Sequence, residues 1–249
     1  MTAAASTQPW RVGVVIPAHD EALHIARAMD SVLDAVDLLP SSVRAQVVVV
    51  ADACTDRTAS IARSTLRKRG KVVVSLARSV GVSRALGMQR ILTRWQHPLE
   101  RTWLANTDAD SVVPPTWLTH QLALADAGAT AVAGVIEVDS FSDLVPGAGP
   151  VFRQRYALRD GGEHPHVHGA NLGVRADAYL DVGGWASLVT AEDHDLWNRL
   201  RARGWPVRAD PALVVTTSGR RVGRAPLGFA VGLDQLNESL SAACPESAA

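Results

Sequence analysis

The hexapeptide NTDADS, Asn106 to Ser111, sets two carboxylates one residue apart directly after RTWLA, a run with the composition of a buried strand. Side chains at i and i+2 of an extended chain share one side, so Asp108 and Asp110 can converge on one target. That target is positively charged or rich in hydroxyls. Hard carboxylate oxygens suit Mg²⁺ or Mn²⁺. The bland alternative is that both residues bond their own backbone in the turn before VVPPTW.

The elements that must hold these residues follow from apolar patterning. RVGVVIPA, AQVVVVAD, KVVVSLA and TWLANTD are nearly continuous in Val, Ile, Leu or Trp, the pattern of parallel strands covered on both faces. Between them, EALHIARAMDSVLDAV, DRTASIARSTLRKRG and SRALGMQRILTRW repeat apolar residues at helical spacing. A fourth helix is expected after Pro114 and Pro115, and TAVAGVIEV reads as a fifth strand. The expected architecture is α/β, one domain with a mostly parallel central sheet flanked by helices. Residues 11–139 form its ligand-binding half and 140–218 a second half, in which EDHDLWNRLRARG is a helix. Residues 219–249 are expected to be a flexible basic loop and tail.

In an open parallel sheet the ligand crevice lies beyond the carboxyl ends of the strands. Pro17 to Glu21 follow the first strand, Asp52 ends the second, Arg78 and Arg84 follow the third, and Asp108 and Asp110 follow the fourth. Neither GxGxxG nor GxxxxGK[ST] follows any of them, which disfavours a dinucleotide enzyme or a P-loop ATPase. Acidic residues and an arginine without a phosphate-cradling loop point instead to a diphosphate held through a bridging divalent metal.

VVIPAHDEA, VVVVADACTDRT, GVSRALGMQR, NTDADSVVPPTWL, GANLGVRADAYLDVGGW and AEDHDLWNRLRARG occur in the order and spacing of family 2 glycosyltransferases. The chain resembles that family from Val12 to about Arg220. The resemblance implies the GT-A fold and transfer of a sugar from a nucleotide diphosphate, UDP favoured over GDP, to a hydroxyl acceptor. By resemblance, Asp52 meets the nucleotide base, Pro17, Ala18 and Glu21 lie beside the nucleoside, and Arg84 contacts the diphosphate. Asp108 sits near ribose and metal, and Asp110 is the direct Mn²⁺ or Mg²⁺ ligand. Asp193, with Glu192 as competitor, is the expected general base of an inverting reaction; a positioned carboxylate removes the proton of a weakly nucleophilic sugar hydroxyl. Asn171, Gly184 and Trp185 are weaker candidates for the acceptor site, and Arg220, Arg221 and Arg224 for a loop that closes over anions.

The chain departs from the family in having His19 and Asp20 where Tyr-Asn is common, and Ala51, Ala53 and Cys54 beside Asp52. It has no histidine after His194, so the usual completion of the metal shell is missing. His164, His166 and His168 alternate and would share one side of an extended segment; an exposed or acceptor-facing loop is the expectation rather than a metal cluster. Two readings compete with the family one. A sugar-phosphate nucleotidyltransferase would need a glycine- and lysine-rich opening loop, which PAHDE is not. A non-catalytic nucleotide- or sugar-binding module would not need Asp110, Arg84 and Asp193 together.

Bulk properties fit a small-molecule enzyme. Lys plus Arg equals Asp plus Glu at 25 each, a net charge of +0, so no field favours nucleic acid. The two cysteines, Cys54 and Cys244, form no CxxC and fit a reducing compartment. MTAAASTQPW has neither the basic start nor the apolar core of a secretory signal. With no apolar run of spanning length, a cytoplasmic protein is expected, able at most to associate with a membrane peripherally.

Overall fold

A computed structural model describes residues 8–95, 97–156, 164–220 and 229–243. Among these the chain forms a seven-stranded sheet of order β3-β2-β1-β4-β6-β5-β7. The strands are β1 (Arg11–Ala18), β2 (Arg44–Asp52), β3 (Gly70–Ser75), β4 (Thr102–Asn106), β5 (Ala131–Val138), β6 (Leu172–Arg175) and β7 (Val207–Thr217). β1 pairs in parallel with β2 and β4, and β2 in parallel with β3. β6 runs antiparallel between β4 and β5, and β7 pairs in parallel with β5 across a register shift at Gly134/Val135.

β1 shows why apolar runs without polar alternation become central strands. Val12, Val14 and Ile16 enter one core and Val15 the opposite one, and all four are fully buried. The first core is covered by α1 (Ile25–Asp37), α2 (Thr58–Leu66) and α4 (Trp117–Asp126). The second is covered by α3 (Val80–Leu92), α6 (Ala176–Asp181) and α7 (Glu192–Ala202). A strand buried on both faces has no solvent side to mark with polar residues.

The five expected strands are present, β1 with the limits read from its sequence. The expected crossover helices also form, each start or end displaced by a few residues. β6 and β7 were not anticipated: β6 is four residues long, and β7 contains Pro211 and alternates in burial beyond the bulge. One expectation is corrected. Within the supposed loop and tail 219–249, Phe229–Ala243 is a helix, α8, packed on α5 (Ala148–Arg155). Leu144, Ala148 and Leu233 are its buried centre, with Phe141, Phe152, Phe229 and Leu240 around them. Small, weakly patterned residues hid an apolar stripe that is covered by α5 and the segment before it. Among the described residues no helix is long and apolar enough to cross a membrane.

Candidate active site

The carboxyl ends of β1, β2, β3 and β4 border one cavity of about 490 Å³. Pro17, Ala18, His19 and Glu21 line it from β1, Asp52 from β2, Arg78 and Ser79 after β3, and Asp108 to Asp110 after β4. Ser187, Leu188 and Val189 contribute from the loop before α7, and Thr217, Ser218 and Arg220 from the end of β7. The crossover connections dictate this clustering, because every parallel strand of the set ends on the same edge.

Asp52 is buried and directed into the cavity wall. Its Oδ2 accepts the Ser79 N–H at 2.9 Å, while its Oδ1 has no hydrogen-bond partner among the described residues. Burial opposes ionisation here, but the backbone amides of Ser79 and Arg78 with the Ser75 and Ser83 hydroxyls together hold the carboxyl below its ordinary range. The His19 ring lies against the Asp52 carbonyl, Nδ1 at 2.7 Å. Ser79 also caps α3, its hydroxyl accepting the Val82 N–H.

The two carboxylates of the opening motif are both engaged by arginines. Asp108 Oδ1 accepts from Arg84 Nη2 at 2.7 Å, and Asp110 Oδ2 forms an ion pair with Arg220 Nη2 at 2.9 Å. Arg220 also grips Glu21 with both ends of its guanidinium, Nη2 to Oε1 at 2.5 Å and Nη1 to Oε2 at 2.8 Å. Burial pushes the Asp110 carboxyl up to about 6, against the pull of Arg220.

The Arg84 side chain is set back behind the residues that line the cavity. Only 3% of its side chain is exposed, and it is held between Asp108 and Glu192 and stacked over Trp185 at 5.1 Å. Its charge is consumed in tying the turn after β4 to the start of α7. Gly169 makes room for it: a Cβ there would strike the guanidinium.

Glu192 and Asp193 therefore differ. Glu192 turns inward to Arg84, and burial pushes its carboxyl up despite that partner. Asp193 Oδ2 accepts the Gly169 N–H at 2.9 Å, beside His168. Tyr156 accepts the Ile136 N–H at 3.1 Å, and its hydroxyl oxygen lies 2.7 Å from His168 Nε2. Burial lowers His168 to about 4 and lifts Tyr156 to about 12, so both are neutral near pH 7. Sequence reasoning missed Tyr156, and no local signal marks it.

The weaker acceptor candidates make structural contacts. Asn171 is fully buried, donating to the Val135 and Leu213 carbonyls at 2.8 Å each and accepting from Trp117 Nε1 at 2.9 Å. It brackets β5, β7 and α4. Trp185 is part of the second core, and Gly184 has φ +69° with Tyr179 where a side chain would go. His164 is buried rather than on an exposed loop, and the three histidine rings stack in a ladder 6.0 and 6.1 Å apart, with Tyr156 3.9 Å from His166. Arg221 and Arg224 lie outside the described residues. Among the described residues the group of three or more acids, thiols or imidazoles whose ligand atoms converge is Asp20, Cys54 and Asp56. There Asp20 already accepts the Thr55 and Asp56 amides, as a loop brace does.

Comparison with solved structures shows the same architecture. A mannosyltransferase from Pyrobaculum calidifontis, solved with GDP-Man and Mn²⁺, is 19% identical, with 98% of this chain and 77% of that one aligned at a TM-score of 0.62. TarS residues 1–349 from S. aureus, solved with UDP-GlcNAc, is 16% identical over 95% of this chain and 73% of that one, TM-score 0.60. A mycobacterial protein is 17% identical over 95% and 75%, TM-score 0.57. No curated protein matches in sequence. The family model described as "Glycosyltransferase like family 2" matches residues 9–226, nearly the whole chain. With the sheet order, the cavity at the strand ends and the acids around it, this match identifies the chain as a family 2 glycosyltransferase of the GT-A fold.

Proposed function

We propose that this enzyme transfers a sugar from a nucleotide diphosphate sugar to a hydroxyl acceptor, with inversion, using Mg²⁺ or Mn²⁺. The observation that carries this reading is the polarity of the cavity. Asp52, with its unpartnered oxygen, flanks β1 on one side, and Asp108 and Asp110 flank it on the other. A nucleoside diphosphate has a base N–H at one end and a metal-seeking diphosphate at the other.

The donor set fits a hard cation. Mg²⁺ is commonly held by one or two carboxylates plus substrate phosphates. Asp110 faces the cavity, and Asp108 keeps 35% of its side chain exposed although one oxygen is held by Arg84. When bound, the cation neutralises the diphosphate as it departs. Asp52 would accept the base N–H, Pro17 and Ala18 would pack along the nucleoside, and Arg78 and Arg220 supply positive charge near the phosphates. Asp193, held by the Gly169 amide, would take the proton of the acceptor hydroxyl as it attacks. Glu192 is the weaker candidate because Arg84 engages it.

The relatives were solved with GDP-Man and with UDP-GlcNAc, so calorimetry should test both UDP and GDP, with and without Mn²⁺. We expect metal-dependent binding of one nucleotide, lost in Asp110→Ala. Absence of binding by either, on folded protein, would defeat the donor reading. NMR of the product's anomeric proton then decides inversion.

A further inference from the structure

Arg220 stands against Asp110, the carboxylate proposed to hold the cation. Its Nη2 is shared between Asp110 Oδ2 and Glu21 Oε1, and its Nη1 holds the second Glu21 oxygen. Glu21 is rigid: its side chain is 5% exposed, its backbone N–H donates to the Thr58 hydroxyl at 2.7 Å, and its carbonyl starts α1. Thr58 is fixed in turn by Asp56. Asp110 is held by fewer contacts, reached by Arg220 through a single nitrogen and otherwise approached by the Ser111 hydroxyl at 3.4 Å. Arg220 itself lines the cavity and is 22% exposed, with room to turn.

We infer that Arg220 is an exchange residue: it holds Asp110 in the free enzyme and releases it to the divalent cation as it turns to the arriving diphosphate. This rests on the metal reading above and goes beyond it. A divalent cation on Asp110 Oδ2 would lie a few ångströms from the Arg220 guanidinium, and repulsion between the two positive charges favours displacement of the guanidinium. Glu21 provides the pivot, since Nη1 on its Oε2 keeps the guanidinium at the mouth of the cavity while Nη2 changes partner. The consequence is ordered loading. Without a nucleotide most molecules are in the latched state, and apparent metal affinity is reduced by the fraction that is not. The diphosphate favours the unlatched state, so metal and nucleotide strengthen each other's binding beyond their direct contact.

The test titrates Mn²⁺ by electron paramagnetic resonance, alone and with whichever of UDP or GDP the calorimetry selects. It compares the native enzyme with Arg220→Ala and Arg220→Gln, whose circular dichroism checks folding. Exchange predicts that Mn²⁺ alone binds about tenfold more tightly to both variants. It also predicts that the factor by which nucleotide strengthens Mn²⁺ binding falls by a similar amount. A stationary positive charge would alter each affinity separately and leave that factor unchanged; this result overturns the proposal, as does unaltered Mn²⁺ affinity. In both cases Asp110→Ala still abolishes Mn²⁺ binding, and the metal reading stands. If native enzyme binds the nucleotide but no Mn²⁺ under any condition, the metal reading fails and exchange fails with it.

Discussion

Arg84 and Arg220 each bridge two carboxylates, one of the two belonging to the DxD motif at the cavity. They differ in depth. Arg84 lies within the second core, 3% exposed, under Trp185 and against Gly169, whereas Arg220 leaves the end of β7 and borders open space. A buried ion pair cannot be broken without stranding a charge, so Arg84 reads as a strut. Water or ligand oxygens can replace a guanidinium at a cavity wall, so Arg220 reads as a contact that can be exchanged. Ion-pair chemistry alone does not assign a role; the surroundings do.

Arg84→Ala strands Glu192 and frees Asp108. It should cost about 3–5 kcal/mol of unfolding free energy in denaturant titration. A loss below about 1 kcal/mol would remove the strut from the argument.

The same contrast divides the pair at the start of α7. Asp193→Asn should keep the native melting temperature and lower kcat by about 10²–10⁴-fold, whereas Glu192→Gln should lower stability and retain most turnover. Reversal of those two outcomes in melting and single-turnover assays would exchange their roles.

His168 carries the comparison into pH dependence. Its folded pKa lies near 4, below the ordinary 6.5, because burial penalises its charged form. The unfolded chain therefore binds its proton first as pH falls. The stability that neutral His168 confers is fully present above about 6.5 and is lost as pH drops toward 4, on the order of 3 kcal/mol in all. His168→Gln should remove that part of the acid slope, measured by denaturant titration at pH 7.5 and 5. An unchanged slope would contradict a neutral His168.

The smallest effect belongs to Arg220→Ala, about 1–2 kcal/mol in unfolding free energy, because cavity water reaches Glu21 and Asp110 once the guanidinium is gone. A cost equal to that of Arg84→Ala would erase the distinction.

Strands β1 to β5 and the covering helices α1 to α4 and α7 were legible in the sequence, since apolar run length and helical spacing are local properties that tertiary packing here did not override. The order of six motifs gave the family, and strand direction carried Asp52, Asp108 and Asp110 to one edge. β6, β7 and α8 were not legible, being short, broken by Pro211, or apolar only toward a distant partner. Nor was the commitment of each charged side chain. Arg84 meets Glu192 across 108 residues and Arg220 meets Glu21 across 199, contacts that no local pattern encodes. Asn171 and Trp185 read as acceptor residues by motif, yet the fold closed over both. The sequence by itself determined which chemical groups reach the crevice, because motif order and strand period are written along the chain. Only the tertiary structure decided which groups are already bound to one another, because burial and pairing are properties of the space between elements.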